Sequence, residues 1–168
     1  MKKAFTLILP VLILVLSLLQ CENEELNISA KITNDPQCKS SKFAGITEDT
    51  PDTLSCIGYS YKVQEKKLYL KHANAGFNCC PGKLSCTAEM KGDSIIIKES
   101  EESFLCNCDC LYDLEIEITG LATGQYVIKV IEPYSGIQQK IIFPVSFTED
   151  TQSAFCVTRK LYPWGMGL

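Results

Sequence analysis

Cys106-Asn107-Cys108-Asp109-Cys110-Leu111-Tyr112-Asp113-Leu114-Glu115-Ile116-Glu117-Ile118 decides how this chain is read. Successive side chains of an extended strand point to opposite faces. In that register Cys106, Cys108, Cys110, Tyr112, Leu114, Ile116 and Ile118 share one face, and Asn107, Asp109, Asp113, Glu115 and Glu117 share the other. The segment predicts a strand that is apolar inward, acidic outward and headed by a ladder of thiols.

The same alternation recurs on both sides of it. Leu26, Ile28, Ala30 and Ile32 alternate with Asn27, Ser29, Lys31 and Thr33. Residues 34–55 are polar and read as a long loop, with Cys38 available to pin it. Ile57, Tyr59, Tyr61 and Val63 share a face, and the polar turn Gln64–Lys67 leads into a strand ending at Ala73, so this pair predicts a hairpin. Asn74–Gly82 reads as a loop. Leu84–Met90, Ile95–Lys98, Tyr126–Val130 and Ile141–Phe147 follow as strands, with an acidic loop at Glu99–Ser103 and a last short strand around Phe155–Val157. Pro144 lacks an amide donor and suits an edge strand or a bulge. No segment carries a helical period. Many short strands with closely spaced turns predict an all-β, antiparallel β-sandwich.

The N-terminus sets the compartment. Lys2 and Lys3 precede the apolar run Ala4–Leu19, which Pro10 interrupts and which is short for a spanning helix. Residues 1–20 therefore read as an export signal peptide. Leu18-Leu19-Gln20-Cys21 resembles a bacterial lipobox, departing from the usual pattern at Gln20. The resemblance implies that Cys21 is lipidated, with palmitate among its acyl chains, and becomes the first mature residue of a lipoprotein anchored at the bacterial cell envelope. A periplasmic or secreted product is the alternative. Residues 21–25 then form a tether, 26–160 one domain and 161–168 a C-terminal tail.

An exported chain meets an oxidising environment, so its cysteines read first as disulfides. The chain has ten. Setting Cys21 aside leaves Cys38, Cys56, Cys79, Cys80, Cys86, Cys106, Cys108, Cys110 and Cys156, an odd number, so at least one thiol is left over. Neighbours at i and i+2 of one strand stand about 6.6 Å apart, at the upper edge of disulfide geometry. At least one bridge is therefore expected between the set Cys79, Cys80, Cys86 and the set Cys106, Cys108, Cys110. Cys38, Cys56 and Cys156 remain for a further bridge and the odd thiol. The alternative is a zinc or copper site built from Cys106, Cys108, Cys110, Cys80 and His72, since soft thiolates select such metals. The usual Cys-x2-Cys spacing is absent, which counts against both a zinc site and a disulfide oxidoreductase.

Removing Lys2 and Lys3 leaves 14 basic against 20 acidic side chains, a charge of −6. That argues against nucleic acid and anionic headgroups as partners. His72 is the one histidine and shares a face with Leu68 and Leu70, where a structural role is expected. No Gly-x-Ser-x-Gly elbow is present. The open acidic row Asp113, Glu115, Glu117 makes a poor calcium cage, and Trp164 reads as a packed anchor as readily as a ligand contact.

Ile118-Thr119-Gly120-Leu121-Ala122-Thr123-Gly124-Gln125-Tyr126-Val127-Ile128-Lys129-Val130 resembles the corner of immunoglobulin-like and fibronectin-type-III-like domains. The resemblance implies a two-sheet sandwich in which Leu121 closes one strand and the Tyr126 hydroxyl bonds back across the corner. More broadly, Leu70–Pro81 and Cys106–Asp113 resemble cysteine-rich exported bacterial proteins to which no activity attaches. Together these readings predict a non-enzymatic, cofactor-free envelope module, binding or structural in role, with the membrane and a protein or glycan ligand as its partners.

Overall fold

The computed structural model describes residues 27–39, 50–103 and 106–161. Among them stand nine strands and no helix: β1 (Ser29–Ile32), β2 (Leu54–Lys62), β3 (Lys67–Asn78), β4 (Leu84–Lys91), β5 (Ser94–Glu101), β6 (Asp109–Thr119), β7 (Gly124–Ile131), β8 (Ile141–Phe147) and β9 (Thr151–Thr158). They form two sheets, ordered β1-β6-β3-β2-β9 and β4-β5-β7-β8.

The alternating residues put the core between the sheets. Ile57 and Tyr61 of β2, Leu68 and Leu70 of β3, and Leu114, Ile116 and Ile118 of β6 face Ile95 and Ile97 of β5, Ile128 of β7, and Ile141, Phe143 and Phe147 of β8. Tyr61 stacks on Phe147 with ring centroids 4.6 Å apart, and Phe143 on Phe155 at 4.7 Å. Each such buried side chain contributes roughly 1.5–3 kcal/mol.

Four details depart from the sequence reading. β5 pairs with β7 in parallel, so the smaller sheet is mixed rather than antiparallel. β3 runs on to Asn78 instead of ending at Ala73, because Asn74, in the left-handed region at φ 64°, inserts a bulge that shifts the register between His72 and Ala75. Its backbone amide donates to the Asp113 carboxylate. β6 begins at Asp109, so Cys106 and Cys108 lie in the loop before the strand and only Cys110 stands in its inward row. β5 also continues through Glu99 to Glu101, which places Glu99 in the sheet. Pro144 sits in β8, a sheet edge.

The strand directions give the molecule two ends. Ser29, Lys67 and Thr119 are neighbours at one end, where the chain enters the domain. Asn78 and Asp109 pair at the other, roughly 35–40 Å away at the rise of an extended strand. At the entry end Leu121 is buried, and the Tyr126 hydroxyl donates to the Ala122 carbonyl at 3.1 Å.

Candidate functional site

Three places in the fold gather side chains with chemistry to offer. The first is the cysteine end. Cys79 is bonded to Cys108 and Cys80 to Cys106, so two adjacent bridges join the β3–β4 loop to the segment before β6. Cys38 is bonded to Cys110 and ties the β1–β2 connection to the head of β6. Cys56 and Cys156 face each other across β2 and β9, with α-carbons 4.1 Å apart. Among the described residues the thiol left over is Cys86, buried on β4, rather than one of Cys38, Cys56 or Cys156. Burial, with the nearby charge of Glu99, pushes it up to about 11, so it stays protonated and poorly nucleophilic.

Of the residues read as a possible metal set, the sulfurs of Cys106 and Cys108 lie within 4.8 Å of each other and of Cys79. Cys80 is bonded to Cys106. Cys110 is committed to Cys38, and His72 belongs to a different cluster. Cys21 lies outside the described residues.

That second cluster fills the space between the sheets. His72 Nδ1 is 2.7 Å from Glu99 Oε1, and Nε2 is 2.8 Å from Ser55 Oγ. Glu132 stands 3.9 Å from His72 Nε2 and accepts two hydrogen bonds, at 2.6 and 2.5 Å, from Arg159. Arg159 also donates to the Gln139 carbonyl at 2.8 Å. Burial works against a charged imidazole, but the charge and hydrogen bond of Glu99, with the charge of Glu132, outweigh it and raise the His72 pKa. Burial raises that of Glu132. With His72 protonated, its two nitrogens donate to Glu99 and Ser55, and two cations face two carboxylates. The order Ser55–His72–Glu99 copies the hydrogen bonding of a nucleophile, base and acid. Yet Ser55 and His72 are each 0% exposed, so a substrate carbon has no approach to Ser55 Oγ.

Sequence reading found His72 and missed its partners. One signal was available: Arg159 is the chain's single arginine among fifteen lysines. A planar, weakly hydrated guanidinium, whose nitrogens serve several acceptors at once, is the cation suited to a buried carboxylate.

The third place is a groove of about 650 Å³ on the outer face of the five-stranded sheet. Its floor is made by the small residues Gly58, Ser60 and Ala154, and Tyr69, Lys71 and Glu115 stand along it. Gly58 pairs with Lys71 on one side and Ala154 on the other, so the missing side chain opens the centre of the sheet. A Cβ there would meet only the Lys71 carbonyl, at 3.9 Å. Two members of the acidic row beside it are paired with lysines: Glu117 with Lys31 at 3.0 Å and Lys67 at 3.3 Å, and Asp113 with Lys39 at 2.5 Å.

The chain matches no known protein family, no curated protein and no solved structure.

Proposed function

We propose that this chain is a non-enzymatic lipoprotein of the bacterial cell envelope, a disulfide-stapled β-sandwich module that binds a polar, extended ligand along the groove over Gly58. The groove carries the reading. It combines a backbone-level floor with an aromatic ring and the charged side chains of Lys71 and Glu115 on its rim, the mixture of apolar body and few polar groups that binding sites use. Its partner is a short glycan or an extended peptide.

The compartment follows from the bridges and the leader together. Four disulfides persist where thiols are not kept reduced, and a cysteine just after an apolar leader suits lipidation at Cys21. Two or more acyl chains hold a protein stably at a membrane. Anchorage at Cys21 would enter the domain beside Thr119 and present the cysteine end away from the bilayer. Sealing of Ser55 and His72 between the sheets supports a structural rather than catalytic role for the relay. An immunoglobulin-like kinship is supported by the corner of Leu121 and Tyr126, while the parallel β5–β7 pair departs from that pattern.

Two experiments test the reading. Labelled palmitate is expected in the native protein and absent from Cys21→Ala; equal labelling of both overturns the anchor. Gly58→Trp fills the groove without backbone strain, so it is expected to abolish binding to neutral oligosaccharide or peptide arrays at unchanged melting temperature. Undiminished binding in a folded Gly58→Trp protein overturns the groove.

A further inference from the structure

The two bridges Cys79–Cys108 and Cys80–Cys106 close loops with sequence separations of 29 and 26 residues, and they join the same two segments. Once one has closed, the other completes only a small ring through Cys79, Cys80, Cys106, Asn107 and Cys108. A bridge stabilises chiefly by removing unfolded-chain entropy, and more so for longer loops. The second bridge therefore adds little as a staple. Cys56–Cys156, by contrast, has a separation of 100 residues.

The two segments are also held together without sulfur. Asn78 Nδ2 donates to the carbonyls of Cys106 and Cys108, at 2.6 and 2.9 Å. Asn78 Oδ1 accepts from the amides of Cys80 and Cys106, at 2.9 and 3.3 Å. The Cys79 amide donates to the Cys108 carbonyl at 3.0 Å, and the Tyr112 hydroxyl to the Asn78 carbonyl at 3.0 Å. Asn78 is itself buried. This frame keeps the four sulfurs together when their bonds to one another are cut.

We infer that the reduced cluster of Cys79, Cys80, Cys106 and Cys108 binds one thiophilic d10 cation, zinc or cuprous ion, and that the paired disulfides are the oxidised, metal-free form of that site. Three of the sulfurs already lie within 4.8 Å of one another. A tetrahedron with metal–sulfur bonds of about 2.3 Å sets sulfurs about 3.8 Å apart, so each pair, once its bond is cut, spreads from bonding distance while the two pairs draw together. Cys79, Cys80 and Cys106 are half-buried and Cys108 is exposed, which leaves a path for reductant and metal. The reductant is a dithiol. Two dithiols deliver four electrons and four protons, two disulfides become four thiols, and each dithiol closes to a cyclic disulfide. A divalent cation then displaces the four thiol protons and takes four thiolates, so binding weakens as pH falls.

The test uses the full chain in detergent, reduced with excess dithiol, freed of it without oxygen, and titrated with Co²⁺ as a stand-in for zinc. One equivalent is expected to produce the thiolate-to-metal absorption and visible bands of tetrahedral cobalt, bleached by Zn²⁺. The signal is expected to be lost in Cys106→Ser/Cys108→Ser and kept in Cys56→Ser/Cys156→Ser. Absence of the bands in the native sequence, or their survival in the first variant, overturns the site. Should that variant not fold, alkylation of the native protein decides: bound metal is expected to protect Cys79, Cys80, Cys106 and Cys108, and protection confined to other cysteines overturns the inference.

Discussion

His72 and Glu99 meet across the two sheets, imidazole Nδ1 to carboxylate oxygen at 2.7 Å, with neither side chain more than 1% exposed. Glu132 and Arg159 complete the group. Because the imidazole's pKa is raised above its ordinary 6.5, the folded protein holds this proton more tightly than the unfolded chain does. The resulting stability is whole below about pH 6.5 and is lost as pH rises through the folded value. Glu132, raised from 4.5 by burial, acts in the same direction from a lower pH. Glu117, lowered by hydrogen bonds from Lys31 and Lys67, and Asp150, lowered by the Val63 amide and Lys62, act oppositely, and their contribution fades only in stronger acid. Denaturant midpoints measured across pH are therefore expected to peak in mild acid and decline toward alkaline pH. His72→Gln is expected to flatten that decline; an unchanged slope contradicts the assignment.

The four bridges differ in what they stabilise. Cys56–Cys156 fastens β9 to β2 over a separation of 100 residues, so Cys56→Ser/Cys156→Ser is expected to cost about 2–5 kcal/mol. Cys80→Ser/Cys106→Ser leaves Cys79–Cys108 closing nearly the same loop and is expected to cost well under half as much. Urea denaturation of both variants checks the ranking, and equal losses refute the redundancy of the second bridge.

Cys86 is the free thiol among the described residues, 8% exposed and pushed up to about 11. A thiol that stays protonated and sealed does not react. Native, unreduced protein is expected to leave Cys86 unlabelled by iodoacetamide at neutral pH, and denatured, unreduced protein to label it fully. Rapid native labelling of Cys86 contradicts its placement inside the core.

Strand positions were legible wherever one face is apolar and the other polar, as in Leu114–Ile118 or Ile57–Tyr61, because period-two patterning reports burial directly. The end of β3 was not, because Asn74 breaks the alternation and the bulge it makes is held by a distant residue, Asp113. Glu99 reads as a loop residue, since a charge is rarely buried without a partner, and its partner His72 stands 27 positions away. Cys106 and Cys108 fit the strand period by spacing alone, yet their bonds to Cys80 and Cys79 hold them in the preceding loop. The parallel β5–β7 pairing left no local mark, because pairing direction depends on the route of the chain rather than on residue pattern. The corner was readable because a short segment specifies its own hydrogen bond, Tyr126 to Ala122.

Arg159 Nη2 donates to both carboxylate oxygens of Glu132 where solvent is excluded, their side chains 0% and 1% exposed. Two charges removed from water carry a large desolvation cost, which their mutual attraction and the further bond to Gln139 offset. Removing one partner leaves the other buried and unneutralised, so Arg159→Ala is expected to lose about 3–5 kcal/mol. Arg159→Lys restores the charge but not the two planar nitrogens that reach Glu132 and Gln139 together and is expected to recover only part of the loss. Replacing both, as Arg159→Met with Glu132→Leu, removes the cost along with the attraction and is expected to restore most of the stability. Chemical denaturation of the single and paired variants gives the coupling directly. A paired variant as unstable as the sum of its singles means that the two side chains are not coupled and that packing, not charge, sets the role of Arg159.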